Sequence, residues 1–216
     1  MLVRTIYIAW KKNEGSRRSI IAKIKRNSSQ GITFEYCKDG YKEAHDNGLE
    51  FFFGFKNAEE LTAEQVEHLL SQRVISRERP DRNEYLSFWE AEGVHDTFDL
   101  LALTQGKSPT DNFEFLAVYY PQSGLSFVTD LAGISHRNLP KGSVQKGDTL
   151  SIKREPSNPF DKDAVAVFKG DLHIGYIKQI HKWAFLHKKA RIPQLQVKGV
   201  DQNGKIKQIF VSVKFL

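Results

Sequence analysis

Between Lys153 and Asp163 the chain sets a flat aromatic ring, Phe160, beside an acid, Asp161, and surrounds both with Lys153, Arg154 and Lys162. These residue types suit a polyanion with unpaired bases. A ring can stack on a base, cations can meet phosphates, and an ionised carboxylate repels phosphate but accepts strongly from a neutral hydroxyl. Catalysis is harder to find. Ser135 and His136 are sequence neighbours, which does not make a triad, and the chain has no nucleophile-elbow pattern, phosphate-cradling glycine loop or His-x-x-x-His pair. Asp161 and Asp163 could together hold a hard cation and serve a nuclease. Two carboxylates without a third acidic or Lys partner at fitting spacing are more often turn caps.

The elements that must position this set are two strands and a stiff connection. Leu150 and Ile152 alternate with Thr149, Ser151 and Lys153 as in a half-buried strand, and Ala164-Val165-Ala166-Val167-Phe168 reads as a buried one. Between them Pro156 and Pro159 fix their own φ and push Glu155 and Asn158 toward extended geometry, so the loop should be rigid and not a tight hairpin turn.

The string R-E-P-x-N-P-F-D-x-x-A-V from Arg154 to Val165, followed by Ile174-Gly175-Tyr176-Ile177, resembles the signature of the HIRAN domain, a module found at the front of some DNA-repair helicases and alone in bacteria. The resemblance spans Asp130 to Leu216. It implies a small OB-like or SH3-like β-barrel that captures the 3′ end of single-stranded DNA through a free 3′-hydroxyl, with Asn158, Phe160, Asp161 and Tyr176 among the contacting residues. It also implies that the loop after the first strand of the module completes the DNA pocket, where the family often carries aromatics. Here His136 and Arg137 stand at that place, and both can stack on a base, Arg through its guanidinium plane.

The whole chain has 216 residues and a formal net charge of +6, and the charge is unevenly spread. Residues 1–120 hold 16 Lys and Arg against 19 Asp and Glu, while residues 121–216 hold 16 against 7. The basic excess of the second part is an electrostatic footprint for a polyanion, such as nucleic acid or an anionic membrane surface. With a turn cluster at Tyr120-Pro121-Gln122-Ser123-Gly124, it predicts two domains, 1–120 and 125–216. A single cysteine, Cys37, excludes an internal disulfide and a thiolate zinc site. The apolar start from Met1 to Trp10 is short and contains Arg4, so it reads as a first strand. No membrane segment, cofactor or metal is expected, and the expected location is cytoplasmic.

In the N-terminal part, Ile6, Ile8 and Trp10, then Ile20, Ala22 and Ile24, then Ile32, Phe34 and Tyr36 alternate as a three-stranded antiparallel meander closed by a turn at Asp39-Gly40. Helices follow. Thr62 with Gln65, and Asp81 with Glu84, read as capping boxes, and a third helix begins near Asp96 and ends at Gly106 before a strand over Phe113–Val118. Trp10, Trp89 and Phe51-Phe52-Phe53 read as core or interdomain packing. This order, with Phe98-Asp99-Leu100-Leu101 before a Gly-bearing turn, resembles the N-terminal subdomain of HipA-type toxin kinases. It implies a docking module for a protein partner, and the kinase body is absent from this chain.

In the C-terminal part, Lys169-Gly170-Asp171 and Gln202-Asn203-Gly204 are turn signals, and Gly175 marks a bulge or close backbone approach. Ile177, Ile180 and Ala184 fall on one face of a helical pattern and Lys178, Lys182 and Lys189 on another, a basic stripe placed to meet phosphates. The fold class is α+β: an antiparallel meander with helices, then a small barrel with one or two short helices. Three functions remain open. The first is a non-catalytic binder of single-stranded DNA ends with an N-terminal protein-interaction module. The second is a toxin-antitoxin or phage-defence interaction protein that does not bind DNA, and the third is a small metal-dependent nuclease.

Overall fold

In a computed structural model, which describes residues 3–13, 15–29, 31–50, 62–187 and 193–216, the chain divides into two units, Met1–Val118 and Tyr119–Leu216. The first carries a four-stranded antiparallel sheet. Strands β1 (Thr5–Trp10), β2 (Ser19–Asn27) and β3 (Gly31–Tyr36) form the meander, and β4 (Phe113–Ala117) returns to pair with β1, giving the order β3-β2-β1-β4. A register shift after Ile8 makes Ala9 face Ile20, so Ile21 and Ala22 are both buried where strict alternation expects only one of them.

The turn expected at Asp39-Gly40 is instead the start of a helix, α1 (Lys38–Asp46). Its sequence hides it, because Ala44 is its only buried residue and Gly40 stands in its first turn. The glycine is needed for closeness. A Cβ at Gly40 would lie 1.9 Å from the carbonyl oxygen of Ile20 in β2, so α1 can rest on the strand only without one. Helix α2 (Ala63–Ser71) opens with the expected capping box, Thr62 and Gln65 exchanging bonds of 3.3 and 2.8 Å. The box expected at Asp81 does not form ahead of α3 (Arg82–Phe88). The Asp81 carboxylate is drawn to Arg79, which binds it through two nitrogens at 2.6 and 2.9 Å. Asp96 caps α4 (Thr97–Thr104) by accepting from the Asp99 amide at 2.8 Å. Trp89 is buried and Trp10 half-buried, while Phe51-Phe52-Phe53 lie outside the described residues.

The second unit is built on one antiparallel sheet. Its strands are β5 (Ser126–Asp130), β6 (Thr149–Glu155), β7 (Ala164–Lys169), β8 (Leu172–Tyr176), β9 (Gln194–Asn203) and β10 (Lys205–Lys214), in the order β5-β10-β9-β6-β7-β8. The sheet curls until its ends meet. Just past β5, Ala132 and Tyr176 of β8 exchange backbone hydrogen bonds of 2.8 and 2.9 Å. Gly175 explains how the ends come so near: a Cβ there would stand 2.9 Å from the Ala132 carbonyl oxygen. Phe127, Val165, Val167, Ile174, Ile209 and Val211 fill the interior, and Tyr119 stacks on Phe127 with centroids 4.0 Å apart.

The helix expected from Ile177 onward is only one turn, α5 (Trp183–Leu186). Ile177, Ile180 and Ala184 are buried as the pattern required, but the first two sit on an irregular segment leading into α5. Lys189 lies outside the described residues.

Candidate nucleic-acid interface

Strands β6 and β7 stay paired up to Glu155 and Ala164, so residues 156–163 form an eight-residue loop on a hairpin. Asn158 organises it. Its side-chain oxygen accepts from the amides of Phe160 and Asp161 at 3.0 and 3.2 Å, and its nitrogen donates to Glu155 Oε2 and the Tyr176 hydroxyl at 3.2 and 3.3 Å. That uses both donors and both acceptor positions of the amide. Asn158 therefore shapes the loop, its side-chain oxygen and nitrogen both engaged within the protein.

Asp161 locks the far side of the loop. Its Oδ1 accepts from the Asp163 amide at 3.0 Å, and Lys182 Nζ lies 2.6 and 2.7 Å from its two carboxylate oxygens. With the backbone tied on both sides, Phe160 is carried outward and is 86% exposed. The ring therefore does not plug the end of the barrel. Lys153 and Lys162 are exposed, as is Arg154, whose guanidinium also donates to the Phe185 carbonyl of α5 at 2.8 Å.

Two lysines of the expected basic stripe are elsewhere. Lys178 is buried and paired with Asp130 at 2.5 Å, both side chains being almost inaccessible. An ammonium inside the barrel cannot reach a phosphate outside it, so Lys178 is removed from the interface. Lys182 is likewise buried, its ammonium being engaged by Asp161, and it supports the loop from beneath without presenting a free cation to solvent.

A second set of side chains meets at the closing bridge. The Tyr176 hydroxyl donates to Glu155 Oε2 at 2.9 Å and accepts from Arg137 Nη2 at 2.8 Å, while the guanidinium carbon lies 5.0 Å from the Tyr176 ring centroid. Arg137 follows a turn of 3-10 helix over Ile134–His136 that begins at Gly133, where φ is 72° and an added Cβ would press on the Tyr176 ring at 3.3 Å. His136, next to it, is exposed. Burial raises the Tyr176 pKa, and its hydrogen bond to Glu155 adds to this, so the phenol stays protonated at neutral pH. For Glu155, burial pushes upward, yet the bonds from Asn158 and Tyr176 outweigh it and hold the carboxyl below its usual value. Burial and the Arg137 charge lower the pKa of His173, which sits edge-on to Tyr176 at 4.8 Å. Glu155 is the residue sequence reasoning missed. It was visible as a carboxylate inside the motif, but its role depends on Tyr176, 21 positions away, which spacing alone cannot place.

The geometry thus supplies an exposed ring, a carboxylate with its charge offset, a guanidinium stacked at a tyrosine and three exposed cations. Among the described residues no group of three His, Cys, Asp or Glu gathers as metal ligands. A divalent ion bridging Asp161 and Asp163 would have to displace the Lys182 ammonium.

A family model of the HIRAN domain matches residues 124–184, which run from the turn before β5 into α5. Among solved structures, the chain is similar to the crystal structure of the HIRAN domain of human HLTF. That match has 19% identity and a TM-score of 0.32, and covers 41% of this chain and 74% of that one. No curated protein matches. The family match supports a HIRAN domain at residues 124–184, whereas these comparisons lend no support to the resemblance of residues 1–120 to HipA-type kinases.

Proposed function

We propose that the Tyr119–Leu216 unit binds single-stranded DNA at a free 3′-hydroxyl end, without catalysing a reaction on it, and that the N-terminal unit engages a protein. The observation carrying this reading is the Lys182–Asp161 pair beside the exposed Phe160 ring. A bare carboxylate would repel the strand. Here an ammonium on both oxygens cancels that charge, and Lys153, Arg154 and Lys162 supply the excess that attracts phosphates. A carboxylate offers about four acceptor positions. Lys182 occupies one on each oxygen and the Asp163 amide a second on Oδ1, which leaves Oδ2 with room for one more donor. A terminal hydroxyl fits that position and a phosphate does not.

The test uses one oligonucleotide in three forms, ending in a 3′-hydroxyl, ending in a 3′-phosphate, or closed into a circle. Each is titrated against the wild type and Asp161→Asn. The wild type should prefer the free hydroxyl, and the variant should lose that preference. Equal affinity of the wild type for all three forms would refute end recognition. Repeating the titration with magnesium separates binding from cleavage.

A further inference from the structure

Another exposed ring borders this site. Trp183 opens α5 and is 50% exposed, although Ala184 and Phe185 directly after it are buried. It follows Lys182, whose ammonium grips Asp161, just as Phe160 precedes Asp161. Each ring thus adjoins in sequence one member of a single ion pair, and that pair joins the two segments that carry the rings. A second tie, Arg154 to the Phe185 carbonyl at 2.8 Å, fixes α5 against the end of β6, so the position of Trp183 relative to the loop is set at two points. An indole in water forfeits the burial energy that a large aromatic would otherwise contribute. A polar residue would serve a one-turn helix equally well at that place. The surroundings favour a polyanion that can stack, since Arg154 and Lys162 are exposed on the segments that the ion pair and the Phe185 contact bring together, and the pair itself is neutral overall.

We infer that Trp183 is a second stacking platform, which takes an unpaired base upstream of the terminal nucleotide, so that the site grips at least two nucleotides of single strand. Resting on the 3′-end reading above, it places the strand across the Asp161–Lys182 pair, with the terminal base toward Phe160 and the next toward α5. Stacking suits such a subsite because every base has a π-face, which makes the contact tolerant of sequence.

The experiment pairs the full chain with a ten-nucleotide oligothymidylate bearing a 3′-hydroxyl, and with versions abasic at one position at a time from the 3′ end. Trp183→Ala should weaken binding of the intact oligonucleotide by about fivefold or more. One internal abasic position should cost the wild type a similar factor and cost Trp183→Ala nothing further. The emission missing from Trp183→Phe should be quenched in the wild type at saturation, and this variant, which keeps a ring, should retain most of the affinity. If the wild type binds with end preference but no internal position couples to Trp183 and its emission does not change, the subsite is refuted while end recognition stands. Coupling confined to the terminal base would also overturn it. Absence of any binding by the wild type would remove both readings together.

Discussion

Lys182 Nζ sits 2.6 and 2.7 Å from the two carboxylate oxygens of Asp161, joining the loop of the β6–β7 hairpin to the segment that enters α5. The lysine side chain is only 7% exposed. Its removal therefore leaves a carboxylate without its counter-charge at the edge of the barrel. Lys182→Met should cost about 1.5–3 kcal/mol of stability, the range for hydrogen bonds to charged groups. In a double-mutant cycle with Asp161→Asn, measured by urea unfolding, the two changes should be non-additive by at least about 0.5 kcal/mol. Amide exchange of residues 160–163 should rise in the single Lys182 variant. An additive cycle with unchanged exchange would mean that Asn158 alone holds the loop.

Salt dependence separates the cations that face solvent from those that do not. Alanine at Lys153, Arg154 or Lys162 should each flatten the log–log salt slope of single-strand binding by roughly 0.7 for every phosphate the side chain had neutralised, with little effect on folding at the two lysines, whereas Arg154→Ala also frees α5 from β6. Lys178→Met should do the opposite. It leaves Asp130 buried without its ammonium, so stability should fall by on the order of 3 kcal/mol while the slope of the folded protein stays the same. A flattened slope in Lys178→Met would return that lysine to the interface.

Lys178 and Gly40 show where sequence patterns stop being informative. Apolar patterning located the four strands of the first sheet and β6 and β7 of the second, and the charged, proline-stiffened loop with Phe160 and Asp161 was legible as a candidate site because its chemistry is local. Lys178 was misplaced because helical spacing sorts residues onto faces only where there is a helix, and here the buried Ile177 and Ile180 lie on irregular chain. Gly40 read as a turn because a glycine that ends a strand and one that lets a helix touch a strand look alike in sequence. The Lys182–Asp161 and Tyr176–Glu155 pairs join residues 21 positions apart, and each depends on the barrel that brings them together.

Glu155 sets the response to acid. Although burial opposes it, hydrogen bonds from Asn158 and Tyr176 keep its folded pKa below the unfolded value of about 4.3. The unfolded chain then binds the proton first as pH falls. This contribution to stability is complete above about pH 5 and is lost as pH drops through the folded pKa. Between about pH 5 and pH 3 the melting temperature of the wild type should fall more steeply than that of Glu155→Gln, which lacks the titrating group. Parallel curves would show that the network does not favour the ionised carboxyl.

Two glycines test whether the units work separately. Gly40→Ala drives a methyl to within 1.9 Å of the Ile20 carbonyl oxygen, a backbone atom that cannot swing aside, so α1 must lift from β2. Gly175→Ala places its methyl 2.9 Å from the Ala132 carbonyl oxygen, at the bridge that joins the two ends of the barrel sheet. Each should cost about 1–3 kcal/mol or more by overpacking. Their effects on binding should differ, because Tyr176 and Arg137 are positioned at the bridge and nothing in the proposed interface belongs to the Met1–Val118 unit. Gly175→Ala should weaken oligonucleotide binding along with stability, whereas Gly40→Ala should lower one thermal transition and leave affinity for a 3′-hydroxyl strand unchanged. Equal losses of affinity in the two variants would show that the N-terminal unit takes part in holding the strand.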